Sequence, residues 1–154
     1  MRLLALDVGD VRIGVAICDA LEIAAYPLVT LTRAGGLRRD VAAVAAVAAE
    51  QEADAVLVGL PLSLDGGIGP QAQKTQGFAR ALANRVAVPV VFWDESLSSV
   101  EASDRLIAQG VSREKRRALI DQTAAALTLE SYLEHRRRTH APRDALGPDA
   151  QIIR

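Results

Sequence analysis

Three acidic residues stand where the sequence makes an acid awkward: Asp7 at the end of one apolar run, Glu95 at the end of another, and Asp121 inside an alanine-rich stretch. A carboxylate among apolar neighbours costs roughly several kcal/mol unless donors or a cation compensate it. Hard divalent cations such as Mg²⁺ and Mn²⁺ take oxygen ligands and supply that compensation. A single such acid could equally pair with an arginine or cap a helix; three of them favour a metal. Arg12, just beyond the turn that follows Asp7, is a candidate phosphate contact, with a structural salt bridge as the equal alternative. The chain's one cysteine, Cys18, excludes an internal disulfide and a thiolate metal cluster.

These residues need a scaffold, and the pattern around them supplies one. Residues 2–8 are apolar on both alternating faces, which marks a strand covered on both sides. Residues 12–18 and about 23–32 read as two further strands, so the chain opens with an antiparallel meander that ends at Gly35-Gly36. Leu37, Val41, Val44 and Ala48 fall at helical spacing, a short strand runs over Ala55 to Val58, a helix over about 70–84, and a strand over 88–93. Alternating helices and strands imply parallel pairing through crossovers, joined to the meander in one mixed sheet. Ser98-Ser99-Val100-Glu101 fits a capping box that opens a helix ending near Gly110, and Ser112 can cap a last helix reaching about Arg137. Pro142, Gly147 and Pro148 predict an irregular, flexible tail over 142–154, leaving one domain over 1–141.

With 154 residues the chain holds one well-buried domain. The apolar start is stopped by Asp7 and Asp10, so no signal core or spanning segment is read and a cytoplasmic protein is expected. The net charge of −1 gives no general pull on nucleic acid, but residues 111–143 carry eight Lys or Arg against four acids. Lys115, Arg116 and Arg117, with Arg113, form one cluster and Arg136, Arg137 and Arg138 another; either suits a phosphate backbone or a solvated helix face. Aromatic residues are only 3% of the chain, which disfavours base stacking as the main binding mode. The Gly9-to-Gly14 spacing fails as a nucleotide phosphate loop because Val15 stands where a lysine is needed, and Gly-Asp-Val lacks the second glycine of a dinucleotide fingerprint. Both glycines are read as leaving the backbone near Asp7 open to a bulky ligand.

Leu6-Asp7-Val8-Gly9 with Arg12-Ile13-Gly14-Val15-Ala16, then Val58-Gly59-Leu60-Pro61-Leu62 with Asp65-Gly66, then Asp94-Glu95, and finally Asp121-Gln122-Thr123-Ala124-Ala125 are, as an ordered set, similar to the YqgF family, also called RuvX. The resemblance covers nearly the whole chain. It implies an α/β, ribonuclease H-like fold related to the RuvC resolvases, with a five-stranded mixed sheet of order 3-2-1-4-5 and Asp7, Glu95 and Asp121 as its acidic positions. It also implies phosphodiester hydrolysis, in the processing of pre-16S rRNA ends or in Holliday-junction resolution. Ser96, Ser98 and Ser99 depart from the family's usual Arg and two Thr, which removes one arginine and keeps the hydroxyls. In that strand order Glu95 follows a strand two places from Asp7, a gap of roughly 9 to 10 Å that a long Glu can bridge. Asp65 is the reserve acid, because Gly59-Leu60-Pro61 stands where many such enzymes carry one.

The mechanism these residues suggest has Asp7 bridging two Mg²⁺ or Mn²⁺ ions while Glu95 and Asp121 each complete one shell, without a side-chain general base. His135 and His140, in or beyond an Arg-rich helix end, are read as solvated. The Gly66-to-Pro70 loop could present helix N–H groups to a phosphate, or be a plain loop. Two other readings remain open: a non-catalytic nucleic-acid or ribosome-assembly factor, and an actin-like nucleotide-binding module, which would need a second domain to enclose its nucleotide. Symmetric cutting of a four-way junction needs a homodimer, whereas RNA trimming does not.

Overall fold

The computed structural model describes residues 1–62, 67–94, 104, 107–139 and 151–152. Its elements run β1 (Leu3–Val8), β2 (Arg12–Cys18), β3 (Ala25–Thr32), α1 (Leu37–Glu50), β4 (Ala55–Leu60), α2 (Pro70–Arg85), β5 (Val90–Asp94), α3 (Arg113–Arg138) and β6 (Gln151–Ile152). The sheet order is β3-β2-β1-β4-β5-β6. β1 and β2, and β2 and β3, pair antiparallel; β1 and β4, and β4 and β5, pair parallel. The first five strands therefore stand in the order 3-2-1-4-5. The tail departs from expectation: Gln151–Ile152 pairs antiparallel with Val91 and Phe92 of β5. Without it the free groups of β5 would form the sheet's edge, which is reason enough for a short passing segment to pair there.

Alternation along β1 divides the molecule into two layers. Leu4, Leu6 and Val8 pack with Val41 and Val44 of α1 and Phe78 and Leu82 of α2. Leu3 and Ala5 turn to the other face, against Ala125, Ala126, Leu129, Tyr132 and Leu133 of α3. Period-two side chains on a strand covered on both sides leave no polar face, which is why residues 3–6 are all buried. Asp7 follows Leu3 and Ala5 and so belongs to the α3 layer. It is half-buried.

The last helix begins as its cap signal predicts. Ser112 Oγ accepts the Lys115 N–H at 3.4 Å, and Gly110, with φ +74, donates its N–H to the Ile107 carbonyl at 2.9 Å. The left-handed conformation at Gly110 is one that glycine adopts without steric cost. The capping-box residues Ser98 to Glu101 lie outside the described residues. Cys18 closes the opposite end of the α3 layer. Its thiol is 1% exposed, accepts the Leu3 N–H at 3.3 Å and donates to the Met1 carbonyl at 3.5 Å, and burial pushes its pKa up.

Candidate active site

Asp7 and Asp121 are 114 positions apart in sequence, and a missing side chain lets the backbone at Asp121 rest on the strand partner of Asp7. In the β1–β2 ladder the Cα of Asp7 faces that of Gly14. Directly opposed residues of antiparallel strands lie about 4.5–5.5 Å apart and point to the same face. A Cβ on Gly14 would come 2.0 Å from the Asp121 carbonyl oxygen and 2.6 Å from the Gln122 nitrogen. The backbone of α3 therefore rests on Gly14 at the turn that carries Asp121. The small residues around Asp121 extend this close fit: Ala124 and Ala125 are 1% and 0% exposed. The space at Gly14 that was assigned to a ligand is consequently filled by α3. At Gly9 a Cβ would meet the Arg12 carbonyl at 2.8 Å, and the Gly9 N–H donates to that oxygen at 2.9 Å.

Arg12 is part of this arrangement. Its Nε donates to Asp121 Oδ2 at 2.9 Å, with the two side chains 42% and 22% exposed. Arg12 thus makes an ion pair, and its partner is an acid 109 positions away. Arg117, four positions before Asp121 on the same helix, has a side chain outside the described residues, as has Arg116; Lys115 is exposed.

The turn between Asp7 and Arg12 is held from the opposite layer. Arg33 donates its Nη1 to the Gly9 carbonyl at 2.9 Å and its backbone N–H to the Val11 carbonyl at 2.9 Å. Its Nε donates to Asp40 Oδ2 at 2.9 Å, and its guanidinium lies 5.4 Å from the Phe78 ring centre. Asp40 is 4% exposed and also accepts the Ala34 N–H at 2.8 Å. Burial alone would raise the Asp40 pKa, but the Ala34 N–H and the Arg33 charge outweigh it and hold the carboxyl below its ordinary value. From α2, Gln71 Nε2 donates to the Val8 carbonyl at 3.3 Å and Lys74 reaches Asp10 at 3.4 Å. Neither Arg33 nor Asp40 was singled out from the sequence; an Arg seven residues before an Asp carries no recognisable signal.

Glu95 and the reserve acid Asp65 lie outside the described residues. Val91 of β5 belongs to the α3 layer, and Trp93 packs against it. Among the described residues no group of three or more His, Cys, Asp or Glu could hold a metal ion. What Asp7 and Asp121 contribute are carboxylate oxygens, the donor class that Mg²⁺ and Mn²⁺ take. Among the described residues no thiol or imidazole accompanies them: Cys18 is buried near Met1, and the half-buried His135 ring lies tilted against that of Trp93, with centres 5.0 Å apart. The second basic cluster is also divided. Arg136 is 4% exposed and reaches Glu22 at 3.2 Å, so it is withdrawn from any substrate, while Arg137 and Arg138 are exposed. His140 lies outside the described residues.

A family profile described as RuvX, Holliday junction resolvase, matches residues 1–135. The chain belongs to the RuvX family. Among its relatives, a protein of Syntrophus aciditrophicus is 41% identical over 145 residues, covering 94% of this chain and 96% of the relative. One of Myxococcus xanthus is 44% identical over 144 residues, covering 94% and 92%. Both carry the name "Putative pre-16S rRNA nuclease". Among solved structures, T. thermophilus RuvC in complex with Holliday junction substrate superposes with a TM-score of 0.58 at 18% identity, covering 99% of each chain. That likeness shows that this RuvX family member has the RuvC-like ribonuclease H fold.

Proposed function

We propose that this chain is a divalent-metal-dependent nuclease that hydrolyses phosphodiester bonds in the 5′-end processing of pre-16S rRNA. The observation that carries this reading is the seating of the α3 backbone at Asp121 on Gly14, the strand partner of Asp7, which supports a site shared by the two acids. The names of the relatives supply the RNA substrate, and the oxygen donors of Asp7 and Asp121 fit Mg²⁺ or Mn²⁺. Asp7, Asp121 and Glu95 would hold the metal, which when bound acidifies water and stabilises charge at phosphorus. The remaining work falls to the chain. Gly14 fixes the approach of Asp121, the Arg33 clamp holds the turn from Gly9 to Val11, and Arg12 sets a positive charge against Asp121. Lys115, Arg116 and Arg117 would attract the phosphate backbone along the first turns of α3, through contacts that weaken with salt. A nuclease of this kind would work in the cytoplasm. No helix among the described residues is long and apolar enough to cross a membrane.

A second substrate, branched DNA, is favoured by the RuvX profile and by the RuvC fold. Junction cutting would require a homodimer with two sites about a two-fold axis. Incubating labelled pre-16S RNA and a four-way DNA junction with Mn²⁺, using the unsubstituted protein and Asp7→Asn, separates the substrates. Asp7→Asn should abolish cleavage and leave the melting temperature equal or higher, since one negative charge leaves an acidic site. Cleavage retained in Asp7→Asn would remove the site assignment; no cleavage of either substrate by the unsubstituted protein would favour a non-catalytic assembly factor.

A further inference from the structure

Arg12 makes its ion pair with a carboxylate that the proposed nuclease needs for metal. Nε meets Oδ2 of Asp121 at 2.9 Å, so the guanidinium and a divalent cation compete for the same oxygen. The pair is also partly open to solvent, at 42% exposure for Arg12 and 22% for Asp121. A guanidinium has five N–H donors in a planar fork, and the phosphate of a nucleic acid is a bidentate acceptor for that fork. The turn that carries Arg12 is pinned by Arg33 at Gly9 and Val11, so exchange between partners requires movement of the side chain and not of the strand.

We propose that Arg12 is shared between Asp121 and a substrate phosphate, so that binding a phosphodiester backbone releases Asp121 to the metal and the two ligands bind cooperatively. This rests on the nuclease reading of the Asp7–Asp121 site. With Arg12 on Asp121, the carboxylate is partly neutralised and attracts a cation less. With Arg12 on phosphate, the full carboxylate charge faces the cation, and the phosphate has gained a charge-assisted contact. Reciprocity follows from linkage: whatever factor nucleic acid adds to metal affinity, metal adds to nucleic-acid affinity. Metal taken up without substrate is thereby discouraged.

Opposite responses to one substitution test the proposal. Arg12→Gln should tighten Mn²⁺ binding, measured by calorimetry without nucleic acid, by about fivefold, the effect of one nearby unit charge in a water-exposed setting. The same variant should weaken binding of an RNA hairpin without metal. Asp121→Asn should tighten that RNA binding when Arg12 is present and leave it unchanged on the Arg12→Gln background. A salt bridge that only held α3 in place would weaken both ligands when removed, and a plain phosphate contact would leave Mn²⁺ affinity unaltered; either result overturns the sharing. Mn²⁺ binding that Asp7→Asn and Asp121→Asn abolish but Arg12→Gln leaves alone defeats this inference and spares the nuclease reading. Absence of any such Mn²⁺ binding in the unsubstituted protein defeats both.

Discussion

Gly14→Ala should be the most damaging single-methyl change in the α3 layer. The added carbon would lie 2.0 Å from the Asp121 carbonyl oxygen, where ordinary contact begins at 3.4 Å, a shortfall of 1.4 Å. Both sides of the clash are backbone, so no rotamer change relieves it, and α3 must lift from β2 or the strand must bend. Inserting a methyl group into a packed interior costs about 1–3 kcal/mol. A chain of this size loses about 2–4 °C of melting temperature per kcal/mol, giving a fall of about 2–12 °C. The larger values are favoured by the rigidity of the groups involved. Gly77→Ala is the matched control: it lies within α2, a Cβ there meets nothing within 4 Å, and the change should raise stability by about 0.5–1 kcal/mol. Thermal melts of both variants followed by circular dichroism, with Mn²⁺ titration of Gly14→Ala below its transition, form the assay. Metal affinity should fall with stability because Asp121 is carried away from Asp7. If Gly14→Ala melts with the unsubstituted protein, the close seating of α3 is wrong and the argument for a shared site falls with it.

Asp40→Asn should lower stability at neutral pH by about 1–3 kcal/mol, because Arg33 keeps a partly buried charge without its carboxylate. The Asp40 pKa is held below its ordinary value of 3.8, so its contribution is present above that value and lost as pH falls through the lower, folded value. The melting-temperature gap between the two proteins should therefore close in acid; a gap of the same size at about pH 3 and about pH 7 would contradict the assignment. For the basic cluster, joint replacement of Lys115, Arg116 and Arg117 by Ala should flatten the dependence of log RNA affinity on log salt, with each lost phosphate contact reducing the slope by about 0.7–0.9. An unchanged slope would take those residues out of the interface.

The sequence made the sheet legible because its strands follow a simple rule. Residues 2–8 were apolar on both faces, and only a strand enclosed by two helix layers tolerates that. The start of α3 was equally readable, since Ser112 caps it as its side-chain oxygen allows. The role of Gly14 was misread. A glycine within a strand marks close backbone approach as often as ligand access, and only the packing of α3, more than 100 residues onward, decides between them. Arg136 shows a similar limit. Three consecutive arginines look alike in sequence, yet helical rotation buries one against Glu22 and leaves its neighbours in solvent. Arg12 was placed between two roles because local sequence cannot reveal an ion pair spanning 109 positions.

The enclosure of Cys18 has a practical consequence. A thiol that is nearly inaccessible and held in its protonated form reacts slowly with maleimides, because attack requires an exposed thiolate. The natural chain is in effect silent to thiol-directed labelling while folded. A cysteine introduced on the outer face of α1 or α3 would then be the one handle a fluorophore or spin label finds, with no background site to delete first.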